Sequence, residues 1–179
     1  RKTGGTLKEF LSEQAIRDRV CEMAAEISKD YRDHAPIFVG ILNGSFIFMA
    51  DLLRELTVDS EVDFLKVSSY DGTESSGTVH LLKDISAEIT GRDIIIVEDI
   101  IDSGLTINFI VRRLKESDPS SVAVATLLFK KEVAQLNFDP DYIGFTIPPD
   151  FVVGYGLDHN QKMRNLRNIC VLDQKDITA

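Results

Sequence analysis

Long apolar runs are missing from this chain. No stretch approaches the roughly 20 residues that a bilayer-spanning helix needs, and no signal-peptide pattern opens the sequence, so neither a membrane partner nor an export route is expected. Cysteine is scarce too. Cys21 and Cys170 stand alone, which excludes a disulfide framework and gives no metal-type spacing. Both are expected to be buried free thiols in a reducing compartment, the cytoplasm. Basic residues are outnumbered, 20 against 29 acids, for a net charge of -9. Broad nucleic-acid binding needs a dense basic field to displace phosphate counterions, so no nucleic-acid partner is expected. An anionic small molecule remains compatible, because a metal ion can override the sign of charge locally. Repeats, low-complexity tracts and linkers are also lacking. The 179 residues therefore read as one domain, 1–179, with a sizeable core.

What is present is an alternation of helical and strand patterns. Ser12 can cap a helix whose apolar residues Ile16, Val20, Met23, Ile27 and Tyr31 recur at three- and four-residue spacing. "PIFVGIL" (36–42) reads as a buried strand and "SFIFMADLLREL" (45–56) as the helix after it. "VDFLKVSSY" and "TVHLLKDIS" read as strands on either side of a polar loop, "DGTESSG" (71–77). A further buried strand opens at Asp93, "LTINFIVRRLKES" (105–117) is a helix, and "SSVAVATLLF" (120–129) is strand again. Shorter apolar pieces follow: "YIGFTI", "FVVGYG" and "NICVLD". Continuous β-branched runs between amphipathic helices indicate an α/β fold with a mostly parallel sheet flanked by helices. Ligands of such sheets bind beyond the carboxyl ends of the strands.

One stretch ends at that edge, "DIIIVEDIIDSGLT" from Asp93 to Thr106. Four apolar residues run into two adjacent acids, Glu98 and Asp99, and a small, hydroxyl-bearing turn follows. Ser103, Gly104 and Thr106 before a helix let backbone N–H groups converge on a phosphate, aided by the helix dipole. Neither a Walker loop nor a Gly-x-Gly-x-x-Gly is present. The two acids are acceptors suited to a pair of sugar hydroxyls. Phosphate at one end and diol at the other describe a ribose 5-phosphate. An ordinary strand–turn–helix capped by Asp102 or Ser103 would explain a generic Asp-Ser-Gly. It does not explain two acids directly behind a buried strand, where uncompensated charge is costly.

The same stretch resembles the diphosphate-ribose signature of the type I phosphoribosyltransferases. "LNGSFIFMADLLRE", "VSSYDGTESSG", "LLFKKE" and "PPDFVVGYGLDHNQKMRNL" resemble, in the same order, the hypoxanthine-guanine members of that family. The resemblance implies the type I phosphoribosyltransferase fold, with a small hood formed by the terminal segments and a mobile lid loop at about 69–79. It implies that Glu98 and Asp99 hold the ribose hydroxyls of phosphoribosyl pyrophosphate, and that Asp102, Ser103, Gly104, Leu105 and Thr106 wrap its 5′-phosphate. Asp102 is then also the catalytic base near purine N7. Lys130 donates to the purine O6, Phe151 stacks on the base, and Val152 and Asp158 complete the purine contacts. Asp158 also faces Mg2+, the implied cofactor, with Glu98 and Asp99 as further metal-facing acids. Asn43, Gly44 and Arg164 bind pyrophosphate, and Ser69 and Tyr70 close as the lid.

One departure stands out. Many relatives carry Leu-Lys-Gly, with a non-proline cis bond before the lysine, where this chain has Leu42-Asn43-Gly44. A backbone contact to pyrophosphate survives that change; a lysine side-chain role does not. Taken without the resemblance, Lys130 reads as a solvated charge, Phe151 as core and Arg164 as surface. Lys131 and His159 read as surface in either case. The implied activity is transfer of the phosphoribosyl group to hypoxanthine or guanine by a homodimer or homotetramer. Alternatives are another base, xanthine or a pyrimidine, or a non-catalytic regulator that senses nucleotides or binds nucleic acid on the same fold.

Overall fold

The computed structural model describes residues 6–70, 78–173 and 175. Most of the expected lid, 71–77, lies outside them. The elements run β1 (Leu7–Leu11), α1 (Glu13–Asp30), β2 (Ile37–Leu42), α2 (Phe46–Glu55), β3 (Glu61–Tyr70), β4 (Thr78–Lys83), β5 (Asp93–Ile101) and α3 (Leu105–Lys115). β6 (Ser121–Phe129), β7 (Tyr142–Thr146), β8 (Val152–Val153) and β9 (Ile169–Leu172) complete the chain's described elements.

The main sheet has six strands in the order β4-β3-β2-β5-β6-β7. Every pairing in it is parallel except β3 with β4. Central strands are apolar on both sides because both faces are covered. Phe38, Ile95, Val97, Ala123 and Ala125 pack on one face with Val20, Met23 and Ile27 of α1 and Phe48 and Leu52 of α2. Ile37, Val39, Ile94, Ile96 and Val124 pack on the other with Ile107, Ile110 and Leu114 of α3. Ser12 caps α1 as expected, its hydroxyl accepting from the Ala15 N–H at 3.1 Å.

The hood is a second, antiparallel sheet in the order β1-β9-β8. Its strand β1 was not foreseen, because four of its five residues are exposed and it exists only by pairing with β9. Val152, Tyr155, Leu157 and Ile169 tie the hood into the core shared with α1 and α2. Tyr155 adds a polar tether, donating its hydroxyl to Asp51 Oδ2 on α2 at 2.5 Å.

Two expectations are corrected. Cys170 is buried, but Cys21 is exposed. It follows Val20 by one residue, about 100° round the helix, which carries it off the buried stripe towards Arg17 and Glu55. The strand that opens at Asp93 does not stop at Val97. β5 continues through both acids to Ile101, with Glu98 opposite Thr126 and Ile100 opposite Leu128. Inward–outward alternation changes phase across the acid pair, since Val97 and Ile100 pack with one core and Ile96 and Ile101 with the other.

The Tyr155 tether is testable. Tyr155→Phe keeps the ring and removes the donor to Asp51, so urea unfolding should show a loss of about 1 to 3 kcal/mol. An unchanged midpoint and slope would mean the contact adds nothing to stability.

Candidate active site

At the carboxyl end of β5 a cleft of about 210 Å³ opens, lined by Leu42, Gly44, Glu98, Asp99 and Thr106 among others. A larger cavity of about 510 Å³ lies between α1, α2 and the hood, against Arg17, Cys21, Asp51 and Tyr155. None of the residues expected to act from the sequence lines that one. The smaller cleft gathers several.

Glu98 is buried and Asp99 half-buried. Burial pushes the Glu98 carboxyl well above its ordinary 4.5, and the charge of Asp99 and a hydrogen bond to it push the same way. Burial likewise takes Asp99 from 3.8 to about 6, opposed by backbone N–H groups of Ile100 and Asp99 itself and by the Arg164 guanidinium. The charge of Asp158 adds to the rise. Two crowded carboxyls of this kind attract hydrogen-bond donors and positive charge.

Gly44 makes room for them. A methyl group there would lie 1.9 Å from Asp99 Oδ2, so no other residue fits without displacing the carboxylate. The peptide bond Leu42–Asn43 is cis, and Ser45 seals the turn by donating its hydroxyl to the Ile41 carbonyl at 2.7 Å. Gly156 closes the other side. It has φ +100°, and a methyl there would meet the Gly44 carbonyl oxygen at 2.2 Å. Sequence reading passed over Gly156, although the Gly-Tyr-Gly run that contains it was visible.

Arg164 is not a surface residue. It donates to the Gly156 carbonyl at 2.7 Å and to Gln161 Oε1 at 2.8 Å, and lies 3.3 Å from Asp158 Oδ1. Asp158 Oδ2 in turn accepts from the Gln161 N–H at 2.8 Å. Asp158, Gln161 and Arg164 thus form one braced turn beside Asp99.

The turn after β5 has its own frame. Gly104 is the N-cap of α3 at φ +91°, and no side chain caps the helix. A methyl at Gly104 would lie 2.7 Å from the Gln135 carbonyl oxygen, so the left-handed backbone and the close approach both demand glycine. Ser103 Oγ reaches the Leu105 N–H only at 3.4 Å. Apart from that long contact, the glycine N-cap offers the first turn of α3 no capping side chain. Exposed Asp102 pairs with Lys130 Nζ at 2.9 Å. Lys130 is buried, at 6% exposure, which corrects its reading as a solvated charge; Lys131 is exposed as expected.

On the hood, Phe151 is 37% exposed and not core, while Val152 is buried and pairs with Val171. His159 is not a bare surface residue, since its ring meets Phe151 edge-on. Ser69 and Tyr70 end β3, their backbones opposite Val79 and Thr78. Among the described residues no three acids, histidines or cysteines cluster as a ready-made metal cage. Asp99 and Asp158 do offer hard oxygen donors, and Mg2+ commonly takes one or two carboxylates with the rest from water and substrate phosphates. The donor set fits that ion.

A crowded acid pair running into a helix N-terminus with a glycine N-cap, beside an arginine-bearing turn, is an arrangement chemically suited to a phosphorylated sugar. The chain belongs to the phosphoribosyltransferase family: the family described as "Phosphoribosyl transferase domain" matches residues 3–160. The fold is that of the type I members, and the likeness within the family is to hypoxanthine-guanine phosphoribosyltransferases. The protein of that name from Bacillus subtilis is 43% identical over 166 residues, 92% of each chain. A crystal structure of the one from Bacillus anthracis superposes with a TM-score of 0.89 at 40% identity, covering 94% of this chain and all of that one. In Listeria monocytogenes a "Bifunctional protein TilS/HprT" is 42% identical, and this chain spans 26% of its length.

The raised carboxyls give a pH signature. Between about pH 4 and 6 the native state holds a proton on Asp99 that the unfolded chain has released, so its contribution makes stability fall as pH rises through that window. Glu98, also raised, acts in the same direction. Asp99→Asn should therefore be more stable than the parent at pH 7 by roughly 1 to 3 kcal/mol, with the gap closing below about pH 4. Denaturant melts at several pH values check this; a gap that does not vary with pH would contradict the raised carboxyl.

Proposed function

We infer that this protein is a purine-salvage enzyme that transfers the 5-phosphoribosyl group of phosphoribosyl pyrophosphate to N9 of hypoxanthine or guanine, giving IMP or GMP and pyrophosphate. The observation that carries the reading is the succession, along one strand end, of a crowded carboxyl pair and a helix N-terminus whose N-cap is glycine. Glu98 and Asp99 accept from the ribose hydroxyls, and the backbone from Asp102 to Thr106, with the Ser103 and Thr106 hydroxyls, holds the 5′-phosphate. Backbone groups of Asn43 and Gly44 meet the pyrophosphate, and Arg164 stabilises its growing charge as the bond to C1 breaks. Ser69 and Tyr70, at the same sheet edge, close over the leaving group and exclude water. Mg2+, held by Asp158 with Glu98 and Asp99 and by the substrate, would neutralise phosphate charge.

On the base side, Phe151 stacks on the purine and Val152 reads its edge through backbone groups, with Asp158 alongside. Lys130 donates to O6 while Asp102 receives the N7 proton as N9 bonds to C1. The 2.9 Å Lys130–Asp102 pair supports this assignment, because O6 and N7 lie on one edge of the base and an ammonium and a carboxylate side by side match it. A base with an amino group at position 6 would set donor against donor. A homodimer or homotetramer in the cytoplasm is the proposed working form.

Replacing Glu98 and Asp99 together by Gln and Asn should raise the KM for phosphoribosyl pyrophosphate roughly 10-fold or more and leave that for the purine nearly unchanged. Equal rises would remove the ribose assignment. The unaltered protein should reject adenine by roughly 10,000-fold, and Lys130→Ala should lose 6-oxopurine turnover and narrow that ratio. Normal hypoxanthine turnover with adenine still rejected would show that Lys130 is not the discriminator.

A further inference from the structure

Phe151 presents a puzzle for a base-stacking platform. At 37% exposure part of it is open to solvent, and a ring free to turn must lose rotamer freedom each time a base settles on it. The support comes from His159. The two ring centroids are 5.8 Å apart at 88°, the edge-to-face arrangement that aromatic quadrupoles favour. His159 is itself fixed. Its backbone is paired in both directions with Lys162, at 3.1 and 3.0 Å. Its Nε2 lies 3.2 Å from Asn160 Nδ2, so the amide donates and the ring nitrogen accepts. The turn that carries it is the one braced by Asp158, Gln161 and Arg164, which gives the imidazole a stiff foundation.

We propose that His159 is a positioning residue for the purine, holding the Phe151 ring in its stacking orientation. The proposal rests on the reading that Phe151 stacks on the base. Its role is steric and quadrupolar, so any aromatic ring at 159 serves and proton transfer plays no part.

The test is steady-state kinetics with hypoxanthine and phosphoribosyl pyrophosphate on His159→Ala, His159→Phe and Phe151→Ala. His159→Ala should raise the KM for hypoxanthine roughly 2- to 10-fold, the span of one aromatic pair, with the KM for the sugar donor and kcat unchanged. His159→Phe should restore it. If Phe151→Ala raises the hypoxanthine KM but His159→Ala does not, or if His159→Phe is as impaired as His159→Ala, the positioning role is overturned while the stacking reading stands. If Phe151→Ala leaves the hypoxanthine KM unchanged, the stacking reading fails and the proposal goes with it. Equal rises in both KM values for His159→Ala would reveal a general disturbance of the turn and overturn the specific role.

Discussion

Two carboxyl groups lie side by side at the end of a strand sealed on both faces, and much of the surrounding chain accommodates the cost of keeping them there. Burial alone pushes both towards the protonated form. Backbone N–H donors and the Arg164 guanidinium pull Asp99 back. Gly44 leaves the space that the Asp99 carboxylate fills, and Gly156 packs on the Gly44 carbonyl. A side chain at either glycine would force this arrangement apart. The pair is thus an unfavourable element for folding and a favourable one for a ligand that brings hydroxyl donors and positive charge, the usual conflict between stability and activity.

The hood completes what the main sheet begins. β5 supplies the acids and α3 its first-turn N–H groups, while Arg164, Asp158 and Phe151 come from the segment that leads into and out of β8. That segment is fastened by Tyr155 to α2, by Gly156 to the Gly44 turn, and by apolar contacts to the α1 side of the core. The candidate site thus draws on both sheets, which share the core on the α1 side.

Elements were legible wherever the local pattern and the buried environment agree. The central strands are such cases, as is α1 with its Ser12 cap. Legibility failed where a tertiary partner decides. β1 has an exposed, mixed sequence and becomes a strand only because β9 offers its edge. β5 runs past its apolar residues because ladder bonds to β6 continue through the acids, and charge in a sequence gives no hint of that. Cys21 looked buried by composition and is exposed by helical phase.

The sequence alone determined the α/β order, the helix faces and the position of the acids before a small-residue turn, because those depend on period and spacing within a few residues. The resemblance it carries also supplied the candidate residues and the role expected of each. Only the tertiary structure decided that Lys130 is buried against Asp102 and that Arg164 braces Gly156. The contact of Phe151 with His159, and the room that Gly44 leaves for Asp99, were settled there as well. Two of these relations join residues far apart in the chain, at neighbouring strand ends of the main sheet. The other two join residues eight apart within the hood segment, and none follows from the two- or 3.6-residue periods that a sequence displays.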